Sequence, residues 1–348
     1  MSELLDEVPW PPFINATEDP EETLSRLVHE YKHPIAAIQG WVTLILKGKT
    51  DPQEAARTIH RWTEHMQFCQ DAALAYLQAR GKLNRLIIAS RLPKHLSKQI
   101  LEILDALASE IEGALEDNLL GIYLRGSLAT NDILETSDID VLVVTGRPVN
   151  DSEFSELEEL HSRISALPNA YANRIEIAYI DRAALRRFQP GLRHPTLGQG
   201  EQLAWSEHHD NWILERWTVR EFGIALRGPD PKTLIDPIST KAIIETVRHR
   251  LDDWVEWAND VDDPDWRLPR SHKAYVVETM CRALYTLTCG TLPSKVQAVA
   301  WALETLPEPW LTLVKCSQVW RTDDTVDLAI NPQIRQFVLW VASCPQLD

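Results

Sequence analysis

The apolar positions of this chain follow a helical period near both ends and a period of two in the middle. Before residue 90, two runs repeat every three or four residues on either side of the 47–52 break, and Gly81 follows the second run. Such spacing puts apolar side chains on one face of a helix, and glycine is common just beyond a helix end. The pattern predicts a helical hairpin after an irregular, proline-containing lead-in at 1–20.

A different pattern starts near residue 93. A helical run reaches Leu115 and leads into a short apolar strand at 121–125, while the stretches 137–144 and 173–180 alternate apolar and polar residues. A further helix is predicted near 151–167. Alternation of strands with helices predicts a small mixed α/β sheet.

Beyond Pro231 the chain returns to helical spacing. Gly290 ends the second helix of this part, and the 294–297 segment has the form of a capping box that opens a third helix before Pro307. The predicted fold class is therefore α+β. We predict a helical hairpin at 1–90, a small mixed-sheet domain at 91–232 and a helical domain at 233–348.

The net charge of the chain makes some classes of function less plausible than others. The net charge of −16 argues against a protein that binds nucleic acid over an extended surface, because that requires clustered Lys and Arg. It suits a small cationic substrate, although a solvated acidic surface explains the charge equally well.

Location and redox state can also be predicted. The five cysteines have no paired metal-ligand spacing, which indicates reduced, mostly buried thiols. No apolar run approaches the roughly 18 residues of a membrane span, and the N-terminus is acidic. We expect a cytoplasmic protein without a membrane partner.

Two carboxylates carry the chemistry. Asp138 and Asp140 stand at i and i+2 of a predicted strand and share one face, while the apolar residues between and after them face a core. Such a pair can hold Mg²⁺ together with substrate phosphates. Glu176 lies on another alternating strand, where it could stand beside the pair, and the Gly126-Ser127 dipeptide would close around the phosphates.

The ordered set resembles the signature of the DNA polymerase beta-like nucleotidyltransferase superfamily. That signature is Gly-Ser, a spacer, Asp-x-Asp on one strand and an acid on a neighbouring strand. The resemblance implies transfer of a nucleotide from a nucleoside triphosphate.

The run from about Lys94 to Thr322 is similar to the aminoglycoside adenylyltransferases of the 3''-type. The segments that agree include 126–127, 137–140, 220–229, 282–285, 290–295 and 300–302. The resemblance implies that ATP is the co-substrate, that Asp138 and Asp140 hold Mg²⁺, and that Glu176 is the general base. It also implies that the nucleotide is bound by Gly126, Ser127, Ser137, Arg282 and Lys295.

The acceptor is predicted from chemistry rather than from alignment. The 257–266 segment is rich in acids and aromatics, so that Asp263, Asp265 and Trp266 are candidates for contacts with an ammonium or guanidinium group. Trp205 is a further candidate. A solvated acidic loop with Trp266 in the core is the alternative. The acid that the family places ahead of its next helix has no counterpart at 269–273, which leaves the acceptor open.

The first predicted helix contains a second resemblance. His29-Glu-Tyr-Lys-His-Pro34 is similar to the phosphoacceptor box of histidine kinases, in which a hairpin of this kind dimerises. The resemblance implies His29 as phosphoacceptor, a kink at Pro34 and a homodimer through the hairpin. No kinase ATP-binding motif follows, so dimerisation without phosphorylation is the favoured interpretation.

The function expected from these observations is Mg²⁺-dependent transfer of AMP from ATP to a hydroxyl of a small cationic molecule. An aminoglycoside such as streptomycin or spectinomycin is the expected substrate, which would make the protein an antibiotic-resistance enzyme. Two alternatives remain open. One is a nucleotidyltransferase that acts on a protein or metabolite, and the other is a nucleotide-binding regulatory protein with a phosphorelay-like hairpin.

Overall fold

The computed structural model describes residues 34–79, 88, 92, 94–130, 132–133 and 137–344. The chain divides into two compact units, 1–87 and 88–348. Among the helices in the described ranges, none is both long enough and apolar enough to cross a bilayer.

In the first unit the described residues form two helices, α1 (34–46) and α2 (Pro52–Ala79). Gly48, with a φ of +61°, lets α1 end in a left-handed turn, and the N–H of Lys49 donates to the carbonyl oxygen of Leu44. Asp51 accepts a bond from the N–H of Gln53 and so caps α2. The predicted break is confirmed. His29 lies outside the described residues, and dimerisation through the hairpin stays a prediction.

The second unit begins with a helix and a six-stranded mixed sheet. In chain order the elements are α3 (Lys94–Leu115), β1 (Leu119–Leu124), α4 (Gly126–Thr130), β2 (Ile139–Thr145), α5 (Asp151–Ser165), β3 (Ile175–Asp181), α6 (Arg182–Arg186), β4 (Arg193–Leu197), β5 (Ala204–Glu207), α7 (Asn211–Phe222) and β6 (Ile224–Arg227). The strand order is β5-β4-β3-β2-β1-β6. Among the strand pairs formed by the described residues, β2–β3 is parallel and the other four are antiparallel.

The two faces of this sheet meet different helices. On one face Tyr123, Leu142 and Ala178 belong to a core with α6 and α7. On the other face α5 approaches β3, since the Nε2 atom of His161 lies 2.8 Å from the hydroxyl oxygen of Tyr179. Alternation along each strand therefore decides which helices a side chain meets.

A helical domain completes the second unit. Its helices are α8 (Thr240–Asn259), α9 (Arg270–Cys289), α10 (Lys295–Thr305), α11 (Trp310–Trp320) and α12 (Asn331–Ser343). Helix α9 is central and contacts the other four. Gly290, with a φ of +72°, ends α9 as predicted.

The sequence patterns predict only some elements of the helical domain and of the sheet. Ser294 caps α10 by accepting from the N–H of Gln297, but the Gln297 side chain donates to the Tyr285 hydroxyl, so only half of the predicted capping box is described. Helices α11 and α12 and strands β4 to β6 were not predicted. The strands β4, β5 and β6 are only four or five residues long, too short for alternation to stand out.

Candidate active site

Three neighbouring strands place a row of charged side chains on one face of the sheet. Asp140 of β2 lies opposite Glu176 of β3 in parallel register. Leu124 of β1 pairs with Val141, so that Arg125 follows opposite Asp140, and the N–H of Arg125 donates to the Asp140 carbonyl oxygen at 3.0 Å. Residues in register across a sheet share a face. The predicted proximity of Glu176 to the Asp pair is therefore seen in the structure.

Asp138 and Gly126 complete the centre of this row. One oxygen of Asp138, Oδ1, is buried and has no hydrogen-bond partner among the described residues, while the Arg174 Nε atom lies 3.8 Å away. Gly126 has a φ of +60°, and a Cβ built there would lie 2.0 Å from Oδ2 of Asp140. The turn after β1 thus passes so close to Asp140 that only glycine fits.

The surroundings of the three carboxyl groups raise the pKa of each of them. Burial raises the pKa of Asp138, against the lowering effect of Arg174. Burial also raises the pKa of Asp140, which Arg125 opposes, and burial followed by the Asp140 charge raises the pKa of Glu176. A cluster of this kind gains from a cation placed among its oxygens.

Two residues that the sequence patterns did not indicate enter the site. The Arg125 side chain is 12% exposed, and its Nη1 atom lies 2.8 Å from Glu215 Oε2 of α7 and 3.5 Å from Asp140 Oδ1. Alternation along β1 could have placed Arg125 on the Asp140 face. Nothing in the sequence pairs it with Glu215, because α7 reaches the site through tertiary packing.

The predicted nucleotide-binding residues are placed as follows. Lys295 is the first residue of α10. The positive charge of its ammonium group favours the ionised forms of Asp138 and Asp140 and so lowers the pKa of both. The Arg282 Nε atom donates to the Pro293 carbonyl oxygen, just before α10. Ser127 and Ser137 are half-buried at the start of α4 and before β2.

Two of the predicted substrate residues are not brought to the row. Trp205 pairs with Pro195 and stacks on Phe154 of α5, with ring centroids 5.5 Å apart, on the face opposite Glu176. Trp266 is 6% exposed, and its indole N–H donates to the Asp260 carbonyl oxygen. The alternative prediction for Trp266, burial in the core, is the one that the structure shows.

The two acidic candidates lie in the 3₁₀ turn Pro264–Arg267 and at its cap. Asp263 accepts a bond from the N–H of Asp265 and so caps the turn. The Asp265 carboxylate remains 49% exposed, with one oxygen 4.0 Å from His272 Nε2. The His272 and Tyr275 ring centroids are 6.0 Å apart, and Lys295 Nζ lies 5.5 Å from the Tyr275 centroid. A continuous line of contacts thus joins Asp265 to Lys295.

The matched family profiles agree with this arrangement. Residues 102–189 match the nucleotidyltransferase domain, and residues 233–343 match the aminoglycoside adenylyltransferase C-terminal domain.

Curated relatives belong to the same class. Spectinomycin 9-adenylyltransferase of Campylobacter jejuni is 26% identical over 238 residues, which cover 63% of this chain and 88% of the relative. Aminoglycoside (3'') (9) adenylyltransferase of Escherichia coli is 25% identical over 265 residues, covering 71% and 93% respectively.

A solved structure shares the fold. Spectinomycin adenyltransferase AAD(9) from Enterococcus faecialis, crystallised with ATP and spectinomycin, superposes with a TM-score of 0.55 at 16% identity. The match covers 69% of this chain and 97% of that chain. The chain thus contains a nucleotidyltransferase domain and an aminoglycoside adenylyltransferase C-terminal domain.

Proposed function

We propose that the protein transfers AMP from ATP to a hydroxyl group of an aminoglycoside antibiotic such as streptomycin or spectinomycin. The observation that carries this proposal is the row in which Asp140 and Glu176 stand in register, with Asp138 two residues before Asp140. Activity of this kind in the relatives named above supports the same conclusion.

The residues of the row fit Mg²⁺. The cation prefers oxygen ligands and is usually held by one or two carboxylates together with substrate phosphates. Asp138 Oδ1 is buried and lacks a hydrogen-bond partner among the described residues, and a metal cation would satisfy this oxygen. Within the described ranges no group of three or more His, Cys, Asp or Glu side chains is placed to hold a metal by itself, so the nucleotide phosphates would have to supply further ligands.

In the proposed reaction the acceptor oxygen attacks the α-phosphorus of ATP. A bond from that oxygen to phosphorus forms, the bond to the bridging oxygen breaks, and pyrophosphate leaves. Bound Mg²⁺ would neutralise charge on the phosphate oxygens. Glu176 accepts the hydroxyl proton on its carboxylate, and burial together with Asp140 raises its pKa, which makes it a stronger base.

The cationic residues bind the polyphosphate. Lys295 acts on the carboxylate row from the helical domain, so it can reach both the metal ligands and the phosphates. Arg282 holds the segment before α10 through Pro293 and stands in the same part of the helical domain. Ser127 and Ser137 flank the row and supply hydroxyl groups to the triphosphate.

The acceptor is proposed to lie along the line from Lys295 to Asp265. Tyr275 is 46% exposed and offers an aromatic face, and the exposed Asp265 carboxylate offers a partner for an ammonium or guanidinium group. Asp263 is a weaker candidate because its carboxylate already caps the turn. Trp205 and Trp266 are not part of this line of contacts.

The proposal is tested with purified protein, Mg²⁺ and ATP against a panel of aminoglycosides that includes streptomycin and spectinomycin. We expect pyrophosphate release together with a mass gain of one AMP on a drug, both lost in Asp138→Asn/Asp140→Asn. Binding of ATP with Mg²⁺ but an unmodified panel would point to a protein or metabolite acceptor. No ATP binding at all would overturn the transferase assignment.

A further inference from the structure

The row of carboxylates contains an internal cation, the guanidinium of Arg125. Its Nη1 atom is shared unequally: it donates a hydrogen bond to Glu215 at 2.8 Å and lies 3.5 Å from Asp140 without a hydrogen bond. Burial lowers the pKa of Arg125, but Glu215, Asp140 and Glu176 raise it above its ordinary value. The side chain is therefore a permanent positive charge beside a proposed metal ligand.

An aromatic ring borders this guanidinium on a second side. Its central carbon lies 5.6 Å from the Trp212 ring centroid, and Trp212 stacks on His208 at 3.7 Å. His208 in turn lies within hydrogen-bond distance of the Thr196 hydroxyl, at 3.0 Å, on strand β4. With an aromatic ring on this side, Glu215 and Asp140 are the carboxylates among the described residues that lie within ion-pair distance of the guanidinium.

We propose that Glu215 is a positioning residue that keeps the Arg125 guanidinium from hydrogen-bonding to Asp140, and so leaves the Asp140 oxygens free to bind a divalent cation. This inference rests on the proposed nucleotidyl transfer with a metal. Without the Glu215 charge, the nearest anion for the guanidinium is Asp140. A hydrogen bond formed there would occupy the oxygen that the metal needs, because a metal cation and a guanidinium compete for the same lone pairs.

The inference predicts an effect of Glu215 that depends on Arg125. The binding of a divalent cation is measured with Mn²⁺ in place of Mg²⁺. In Glu215→Gln the affinity for Mn²⁺ should fall by about tenfold or more, as is typical when a partner of a metal ligand is lost. In an Arg125→Gln background the same substitution should have no effect, because no guanidinium is left to move. A carboxylate that acted on the metal by its charge alone would give the same loss in both backgrounds.

The experiment is Mn²⁺ titration followed by the electron paramagnetic resonance signal of the free ion, in the full chain without nucleotide. The proteins are wild type, Glu215→Gln, Arg125→Gln and the double variant. Glu221→Gln is the matched control: Glu221 lies on the same helix, is 34% exposed against 35% for Glu215, and pairs with Arg220 and Lys232 instead of Arg125. Asp138→Asn/Asp140→Asn defines binding at the row.

Each result has one interpretation. A loss in Glu215→Gln that disappears in the Arg125→Gln background, with Glu221→Gln unchanged, supports the inference. Equal losses in both backgrounds, or no loss, overturn it even if AMP transfer is observed. No Mn²⁺ binding by wild type overturns this inference, while the drug-modification assay tests the transfer and its dependence on Mg²⁺ separately. If Glu215→Gln does not fold by circular dichroism, Glu215→Asp replaces it in the same cycle.

Discussion

The buried imidazole of His161 should make folding stability depend on pH. His161 is 6% exposed, and its Nε2 atom faces the Tyr179 hydroxyl at 2.8 Å behind the sheet. Burial lowers its pKa from 6.5 to about 4. Between these two pH values the unfolded chain binds a proton on His161 more readily than the folded protein does. The contribution of the neutral His161 to folding stability is therefore complete above pH 6.5 and is lost as the pH falls toward 4.

The magnitude follows from this shift. One pKa unit corresponds to about 1.36 kcal/mol, so the full difference between 6.5 and about 4 is worth about 3 kcal/mol. At pH 5 most of the unfolded chains but few of the folded ones carry the proton on this residue. The loss expected from His161 between pH 8 and pH 5 is therefore about 2 kcal/mol.

The perturbation is His161→Gln, which keeps a side chain able to bond to Tyr179 but cannot titrate. Urea unfolding of wild type and variant is followed by circular dichroism at pH 8, 7, 6 and 5. We expect wild type to lose about 2 kcal/mol more than the variant over this range. Contributions from other groups, including His208, whose pKa burial lowers to about 3, cancel in the comparison.

The control is His209→Gln, which removes an imidazole that is 69% exposed in the same unit of the chain. It should follow the wild-type pH dependence. If the free energies of unfolding of wild type and His161→Gln run parallel from pH 8 to pH 5, the burial argument for His161 is refuted.

Three further predictions concern the site and the helical domain. Glu176→Gln should lower kcat for AMP transfer by roughly 10² to 10⁴ with little change in the KM for ATP, because a general base acts on the transition state; a change confined to KM would contradict this role. Gly126→Ala should abolish transfer, measured as pyrophosphate release, since its Cβ would lie 2.0 Å from Asp140 Oδ2; retained activity would show that the turn can move. Gly290→Ala should lower the free energy of unfolding by about 1–2 kcal/mol in urea, because the residue has a φ of +72°. A change within error at Gly290 would argue against the left-handed helix end.

The carboxylate row was accessible from the sequence because strand alternation is a local property. Asp138 and Asp140 had to share a face with each other, and Glu176 had to face away from its apolar neighbours. The parallel register that puts Asp140 beside Glu176 is set by the pairing of β2 with β3. That pairing joins residues 36 positions apart, so alternation made proximity plausible but could not establish it.

The predicted substrate residues show the opposite case. Composition correctly marked the 257–266 segment as rich in acids and aromatics, but it could not say which side chains would be covered. Trp266 is buried because it stacks on Trp257, with ring centroids 4.1 Å apart, inside the helical core. Trp205 faces Phe154 because its strand, β5, pairs with β4 in a register that turns it away from Glu176.

The sequence by itself determined the helix ends at Gly48 and Gly290 and the chemical character of the Asp pair, because each depends on neighbours within a few residues. Only the tertiary structure decided that Arg125, which lies beside Asp140, would donate its hydrogen bond to Glu215. The two partners are 90 residues apart and meet only when α7 packs over the sheet. Local sequence fixes backbone conformation and facing, whereas the partners of a buried charge depend on how the whole fold excludes water around it.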